Sequence, residues 1–174
     1  MNFWKQLIIL IVFLMISGGC WNPFDPQRQE STSTPDQFAT KEAVISTFIL
    51  AYNTQNLDLY EQCLSEDFIF VFDPLDRSAL DSLGLRDESW GKTREVENTR
   101  KIFSGAESIN LAFTVTDEID LDGQGKTYLL RQLMLLTVLF SDQIYIIDGN
   151  VRFTIKELSK ENWKIILIED YTRG

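Results

Sequence analysis

The sequence predicts an α+β fold: helices in the first half, then a long antiparallel sheet. Apolar residues recur at helical spacing after residue 40 and again after residue 91, with one phenylalanine-rich strand between them. From Ser108 onward the pattern turns to β, in long apolar runs separated by short turn signals such as Asp122-Gly123-Gln124-Gly125. Helices first and sequential strands afterwards give a segregated α+β architecture with a strand meander, not an alternating parallel sheet.

The elements follow in order. Lys5 precedes ten uninterrupted apolar residues, Leu7 to Ile16. A bilayer span needs roughly 20, so ten suits the apolar centre of a signal peptide. Ser17-Gly18-Gly19-Cys20 follows and resembles the lipobox of bacterial lipoproteins. That resemblance implies cleavage between Gly19 and Cys20 and a diacylglycerol on the Cys20 thiol; Ser17 departs from the aliphatic residue usual there. Acyl chains supply membrane affinity of about 0.8 kcal/mol per buried methylene. The alternative is a secreted protein in which Cys20 pairs with Cys63. With Cys20 acylated, Cys63 reads as a buried core thiol. Residues 20–34 are rich in Pro, Gln, Ser and Thr, a composition suited to a flexible tether. The division is therefore a signal peptide over 1–19, a tether over 20–34 and one domain over 35–174.

Thr34-Pro35-Asp36-Gln37 has capping-box spacing, and Thr40 is a second possible cap. Val44, Phe48 and Tyr52 then mark one helix face, with Ile45 and Ile49 beside them, until Asn53 and Asn56 break the run. A short helix is expected from about Leu57 to Leu64, and Ser65-Glu66-Asp67 reads as a turn. Phe68-Ile69-Phe70-Val71-Phe72 reads as a strand with three phenylalanines on one face, ended by Asp73-Pro74. Residues 74–90 read as a loop, and a third helix runs from about Gly91 to Phe103. Strands are expected over Ile109–Leu121, Thr127–Phe140, Ile144–Leu158 and Trp163–Tyr171. The segment Leu129 to Phe140 is apolar on both faces apart from Arg131, Gln132 and Thr137. A sheet covered on one face should alternate more cleanly. Either a homodimer covers the second face, or the start of this strand lies deep in a curved sheet.

The chain has 174 residues, and Lys5 is the one charged residue of the first nineteen. The remainder carries 15 basic against 26 acidic residues. Such a surface repels phosphate backbones, which argues against nucleic-acid binding. No histidine occurs, which removes the commonest proton shuttle and metal ligand. No metal and no cofactor are expected. Asp120-Leu121-Asp122-Gly123-Gln124-Gly125 begins like a calcium loop, but its twelfth position is Arg131, so a hairpin turn is the better reading.

The order of elements resembles the NTF2-like (SnoaL-like) family. The residues that carry the resemblance are Ala51-Tyr52-Asn53, Asn56-Leu57-Asp58-Leu59-Tyr60 with Asp67-Phe68, and then Tyr145, Gly149, Phe153, Trp163-Lys164-Ile165 and Glu169-Asp170. It covers most of residues 38–172. It implies a cone in which a curved antiparallel sheet wraps N-terminal helices around a pocket, and it implies frequent dimers. The family includes isomerases, cyclases and dehydratases as well as non-catalytic binding and assembly modules, so fold alone does not name an activity.

A pocket in such a cone would draw on Tyr52, Phe70, Phe72, Trp90, Phe103, Phe153 and Trp163, residues that would equally serve as plain core. Family enzymes use a buried carboxylate with a hydrogen-bond donor. The candidates here are Asp73, Glu169 with Asp170 beside it on the last strand, Tyr128 and Tyr145, with Asp73 also suited to a turn before Pro74. Arg131 could bind a carboxylate or pair with an acid such as Glu169. The expectation is a lipid-anchored envelope protein, on the outer membrane and facing the periplasm in a host that has one, because Trp21 stands where inner-membrane retention uses Asp. Its domain would bind a ligand, small and apolar if it meets the pocket aromatics, or assist assembly, without catalysis; the rival is an NTF2-like envelope enzyme of isomerase, cyclase or dehydratase type acting on a small apolar molecule. A carboxylate buried in an open, partly apolar pocket would favour the enzyme. A filled core with a large apolar sheet face would favour a scaffold.

Overall fold

The computed structural model describes residues 37–72, 87–141 and 143–171. Gly19, Cys20 and Asp73 lie outside the described residues, as do the tether and the possible cap at Thr34. Helix α1 is Lys41–Asn53, and Thr40 caps it: the Thr40 hydroxyl accepts from the Ala43 amide at 3.1 Å. Its inward face carries Val44, Ile45, Phe48 and Ala51. Helix α2 is Leu57–Cys63, capped by Asn56, whose side chain accepts from the Leu59 amide at 3.0 Å. The two asparagines that break the apolar run thus do separate work. Asn56 starts α2, while Asn53 bonds outward to the sheet.

Strand β1 is Leu64–Val71, β2 is Ser89–Gly91, and helix α3 is Lys92–Gly105. Four long strands follow: β3 Ser108–Asp120, β4 Thr127–Phe140, β5 Gln143–Ser159 and β6 Asn162–Tyr171. They form one six-stranded sheet in the order β2-β1-β6-β5-β4-β3. The meander from β3 to β6 is antiparallel throughout, whereas β1 enters beside β6 in parallel. With the helices packed on its inner face, this is the α+β cone.

Three local differences from the sequence reading have physical causes. Ser65-Glu66-Asp67 belongs to β1 and is not a turn. Leu64 pairs with Ile165 and Ile69 with Leu167, so the chain between them bulges away from regular register. A bulge tolerates polar residues, and Glu66 there meets Lys92 at 2.7 Å. Second, Ser89–Gly91 is a strand and not the end of a loop, because Trp90 pairs with Phe70 across β1 and its ring stacks on Phe70. Third, Arg131 pairs with Asp117 at 3.1 Å and not with Glu169. Arg152 stands between Arg131 and Glu169 in the cross-strand row.

The core is continuous from α1 to the sheet. Phe48 meets Tyr52, Tyr60, Phe113 and Phe153 at ring separations of 5.2, 5.2, 6.2 and 5.5 Å. Burial of each large apolar side chain is worth roughly 1.5–3 kcal/mol, so this cluster fixes α1 over the centre of the sheet. Polar clasps hold the periphery. The Asn53 carboxamide accepts from the Leu111 amide at 2.6 Å and donates to the Leu111 carbonyl at 3.3 Å. That satisfies the backbone of an edge strand, which otherwise invites another chain. Gln55, with φ of 52°, donates to the carbonyls of Phe103 and Ala106 at the end of α3.

Candidate functional site

Between the helices and the sheet lies a cavity of about 110 Å³. A cavity of roughly 150 Å³ holds a benzene ring, so this one is somewhat smaller than a single ring needs unless its walls give way. Its walls are largely apolar. Phe48 comes from α1, Phe70 from β1, Phe113 from β3, Met134 from β4, and Val151 and Phe153 from β5. Strand alternation makes this wall: Met134 pairs with Gly149, Phe113 with Met134, and Phe153 with Ile168, all on the inner face.

Four polar side chains share the same cavity: Tyr52, Tyr60, Glu95 and Asp170. Glu95 is buried on the inward face of α3 with Val96, Thr99 and Phe103. Its Oε1 accepts from the Tyr60 hydroxyl at 2.5 Å, and its Oε2 accepts from the Trp90 indole N–H at 2.6 Å. Both carboxylate oxygens are thereby fixed, which is what a buried charge needs. Burial pushes the Tyr60 phenol well above its usual range, and the negative charge on Glu95 adds to this. Burial likewise raises Tyr52, again with Glu95 adding, while hydrogen bonds involving Thr99 and Tyr60 pull the other way. Both phenols therefore stay protonated at neutral pH and can serve as donors.

The sequence-derived candidates divide. Tyr52, Phe70 and Phe153 line the cavity. Phe72 and Trp90 pack together at 4.5 Å beside Phe70, and Trp90 acts on the site through Glu95. Phe103 packs behind Tyr52 and Tyr60, at 5.2 and 6.2 Å. Trp163 stands apart, 6.0 Å from Tyr128, and its backbone amide donates to the Phe38 carbonyl. Tyr128 also has Lys41 over its ring at 4.1 Å. Tyr145 lies on the exposed start of β5 and donates to Gln143 at 2.7 Å. Glu169 pairs in register with Arg152 and so takes the outer face, while Asp170 beside it points inward with Val151 and Gln132. Among the described residues, the carboxylates that line the cavity are Glu95 and Asp170.

Glu95 was missed because a charged residue in a first helical turn reads as solvated surface. Its spacing of four from Thr99 and eight from Phe103 was the available signal. The Asp120 carboxylate accepts from the Gly123 and Gly125 amides, each at 3.0 Å, which makes the turn a self-satisfied hairpin loop. No cluster of three potential metal ligands occurs among the described residues.

No family model matches the sequence, and no curated protein does. Solved structures do resemble the fold. A conserved protein of Planctomyces limnophilus superposes with a TM-score of 0.61 at 10% identity, covering 75% of this chain and 91% of its own. A scytalone dehydratase-like protein of Novosphingobium aromaticivorans gives 0.61 at 11% identity, covering 76% and 81%. A ketosteroid isomerase-like protein of Erwinia carotovora atroseptica gives 0.57 at 11%, covering 80% and 98%. At such identities the likeness concerns architecture, and in architecture this chain is an NTF2-like cone of helices packed on a curved sheet.

Proposed function

We propose that this protein is a lipid-anchored envelope protein whose NTF2-like domain binds a small, mostly apolar molecule bearing one polar group. The observation that carries the binding reading is the apolar cavity with its polar side chains gathered from α1, α2, α3 and β6. The Ser17-Gly18-Gly19-Cys20 motif after an apolar run supports the anchor.

Acid–base catalysis is the second reading. Glu95 and Asp170 in one partly apolar cavity, beside two protonated tyrosines, are the observation that supports it. Both oxygens of Glu95 are held by structural donors, and Asp170 is the second carboxylate of the cavity lining. In that reading Tyr52 would donate to the ligand while Tyr60 holds Glu95 in place.

Self-association is also part of the proposal. Leu133, Leu135, Ile144 and Ile146 are exposed on the outer sheet face, the two isoleucines at 65% and 66%. Among the described residues, those of β5 before Asn150 pair with β4 and not with β6. An apolar sheet face of this kind is suited to a second copy of the chain.

Native mass spectrometry of the full-length protein, purified gently in mild detergent from cells that make it, tests the binding reading. A reproducible added mass, lost when Val151→Phe fills the cavity, supports it. An added mass that survives Val151→Phe, or none at all, removes the cavity as its basis.

A further inference from the structure

Gln132 is completely buried, and neither its Oε1 nor its Nε2 has a hydrogen-bond partner. Its position in the sheet is specific. It pairs with Val151 on β5, it is two residues from Met134 on the same face of β4, and Phe113 and Phe153 are its diagonal neighbours across β3 and β5. All four of these residues line the cavity. Gln132 is not itself a lining residue: it sits beside these four on the inner face of β4, with Val115 directly across on β3 and Leu130 two residues before it. A buried amide without partners is unfavourable, and an apolar side chain of equal size would relieve that. Of the four neighbours that line the cavity, three are stiff or aromatic. Met134 is unbranched, and its thioether is the most easily displaced.

We propose that Gln132 determines the specificity of the cavity, an inference that rests on the ligand-binding reading above. A ligand that parts Met134 reaches one donor and one acceptor side by side. The complementary chemistry is a primary carboxamide or an un-ionised carboxylic acid, which pairs with Gln132 through two hydrogen bonds. The rest of such a ligand is apolar, to match the cavity walls, and a ring there uses the room that a displaced Met134 leaves. A carboxylic acid would have to enter the apolar cavity un-ionised, whereas a carboxamide carries no charge to desolvate. A carboxamide is thus the favoured partner.

Benzamide and toluene are the probes, since they share a ring and differ in the amide. Their affinities for the full-length protein and for Gln132→Met are measured by calorimetric titration, with thermal unfolding of both proteins alongside. The expected result has three parts: wild type prefers benzamide; Gln132→Met binds benzamide on the order of tenfold more weakly while holding toluene at least as well; and the variant melts at a higher temperature, because the orphaned amide is gone. If Gln132→Met melts lower and benzamide binding is unchanged, trapped water satisfies the amide and the inference is overturned. If both probes bind both proteins alike, the inference falls while the cavity remains a binding site. If wild type takes up neither probe, the inference and the cavity reading fall together.

Discussion

The phenol of Tyr60 donates to Glu95 Oε1 at 2.5 Å, with both side chains buried, and the Trp90 indole donates to the other oxygen at 2.6 Å. This arrangement joins α2, β2 and α3 through one carboxylate. It also places a negative charge against the cavity while using up both of its oxygens.

Replacing Glu95 with Gln should therefore destabilise the protein with little change in shape. The indole can only donate, so the new amide nitrogen must turn toward Tyr60, whose hydroxyl must then reverse and accept. Loss of two charge-assisted bonds predicts a cost of about 2–3 kcal/mol. Urea unfolding followed by tryptophan fluorescence would read both the stability and the altered surroundings of Trp90.

Phe153 is 1% exposed and touches the rings of Phe48 and Phe113. Phe153→Ala should cost about 3–5 kcal/mol, since the surrounding rings cannot collapse fully into the space. Denaturant titration gives the loss directly. A cost below about 1 kcal/mol would mean that the cluster around Phe48 is not the stabilising core described above.

The edge clasp predicts a local effect. Asn53→Ala removes both bonds to the Leu111 backbone, and the stability should fall by about 1–2 kcal/mol. Hydrogen exchange at the Leu111 amide should quicken more than at amides inside the β4–β5 ladder.

Alkaline pH should unfold the protein earlier than surface charge alone would bring about. Burial raises the Cys63 thiol from 9.0 to about 12, with the charge on Lys164 opposing, and burial also raises Tyr52 and Tyr60. The folded chain keeps these protons where the unfolded chain would release them. Their contribution is thus fully present below about pH 9 and is lost progressively toward pH 12. Circular dichroism against pH measures this, and Cys63 should resist thiol reagents until the transition. Rapid labelling at pH 8 in the folded state would contradict the buried placement of that thiol.

The anchor has its own test. Cys20→Ala should abolish membrane fractionation and incorporation of labelled lipid. A variant that still pellets with membranes through an uncleaved apolar segment would show that the lipoprotein reading is wrong.

Much of the fold was legible from periodicity. Thr127–Phe140 is a strand with the boundaries its apolar run and flanking turns indicate, and Asn56 caps α2 where it breaks the apolar pattern. These features depend on neighbours in the chain, so a local pattern carries them. The bulge at Ser65-Glu66-Asp67 and the parallel entry of β1 beside β6 depend on partners about a hundred residues away, which no local pattern encodes. The site divides the same way. Aromatic residues announce themselves by type, and Tyr52, Phe70 and Phe153 were visible as candidates. Whether a carboxylate faces inward is a matter of register, and a shift of one residue exchanges Glu169 for Asp170. By itself, then, the sequence determined the elements, their order and their apolar faces, because these follow from local spacing. Only the tertiary structure decided that Glu95, Tyr60 and Asp170 converge on one cavity, because strand register and helix placement set which side chains meet.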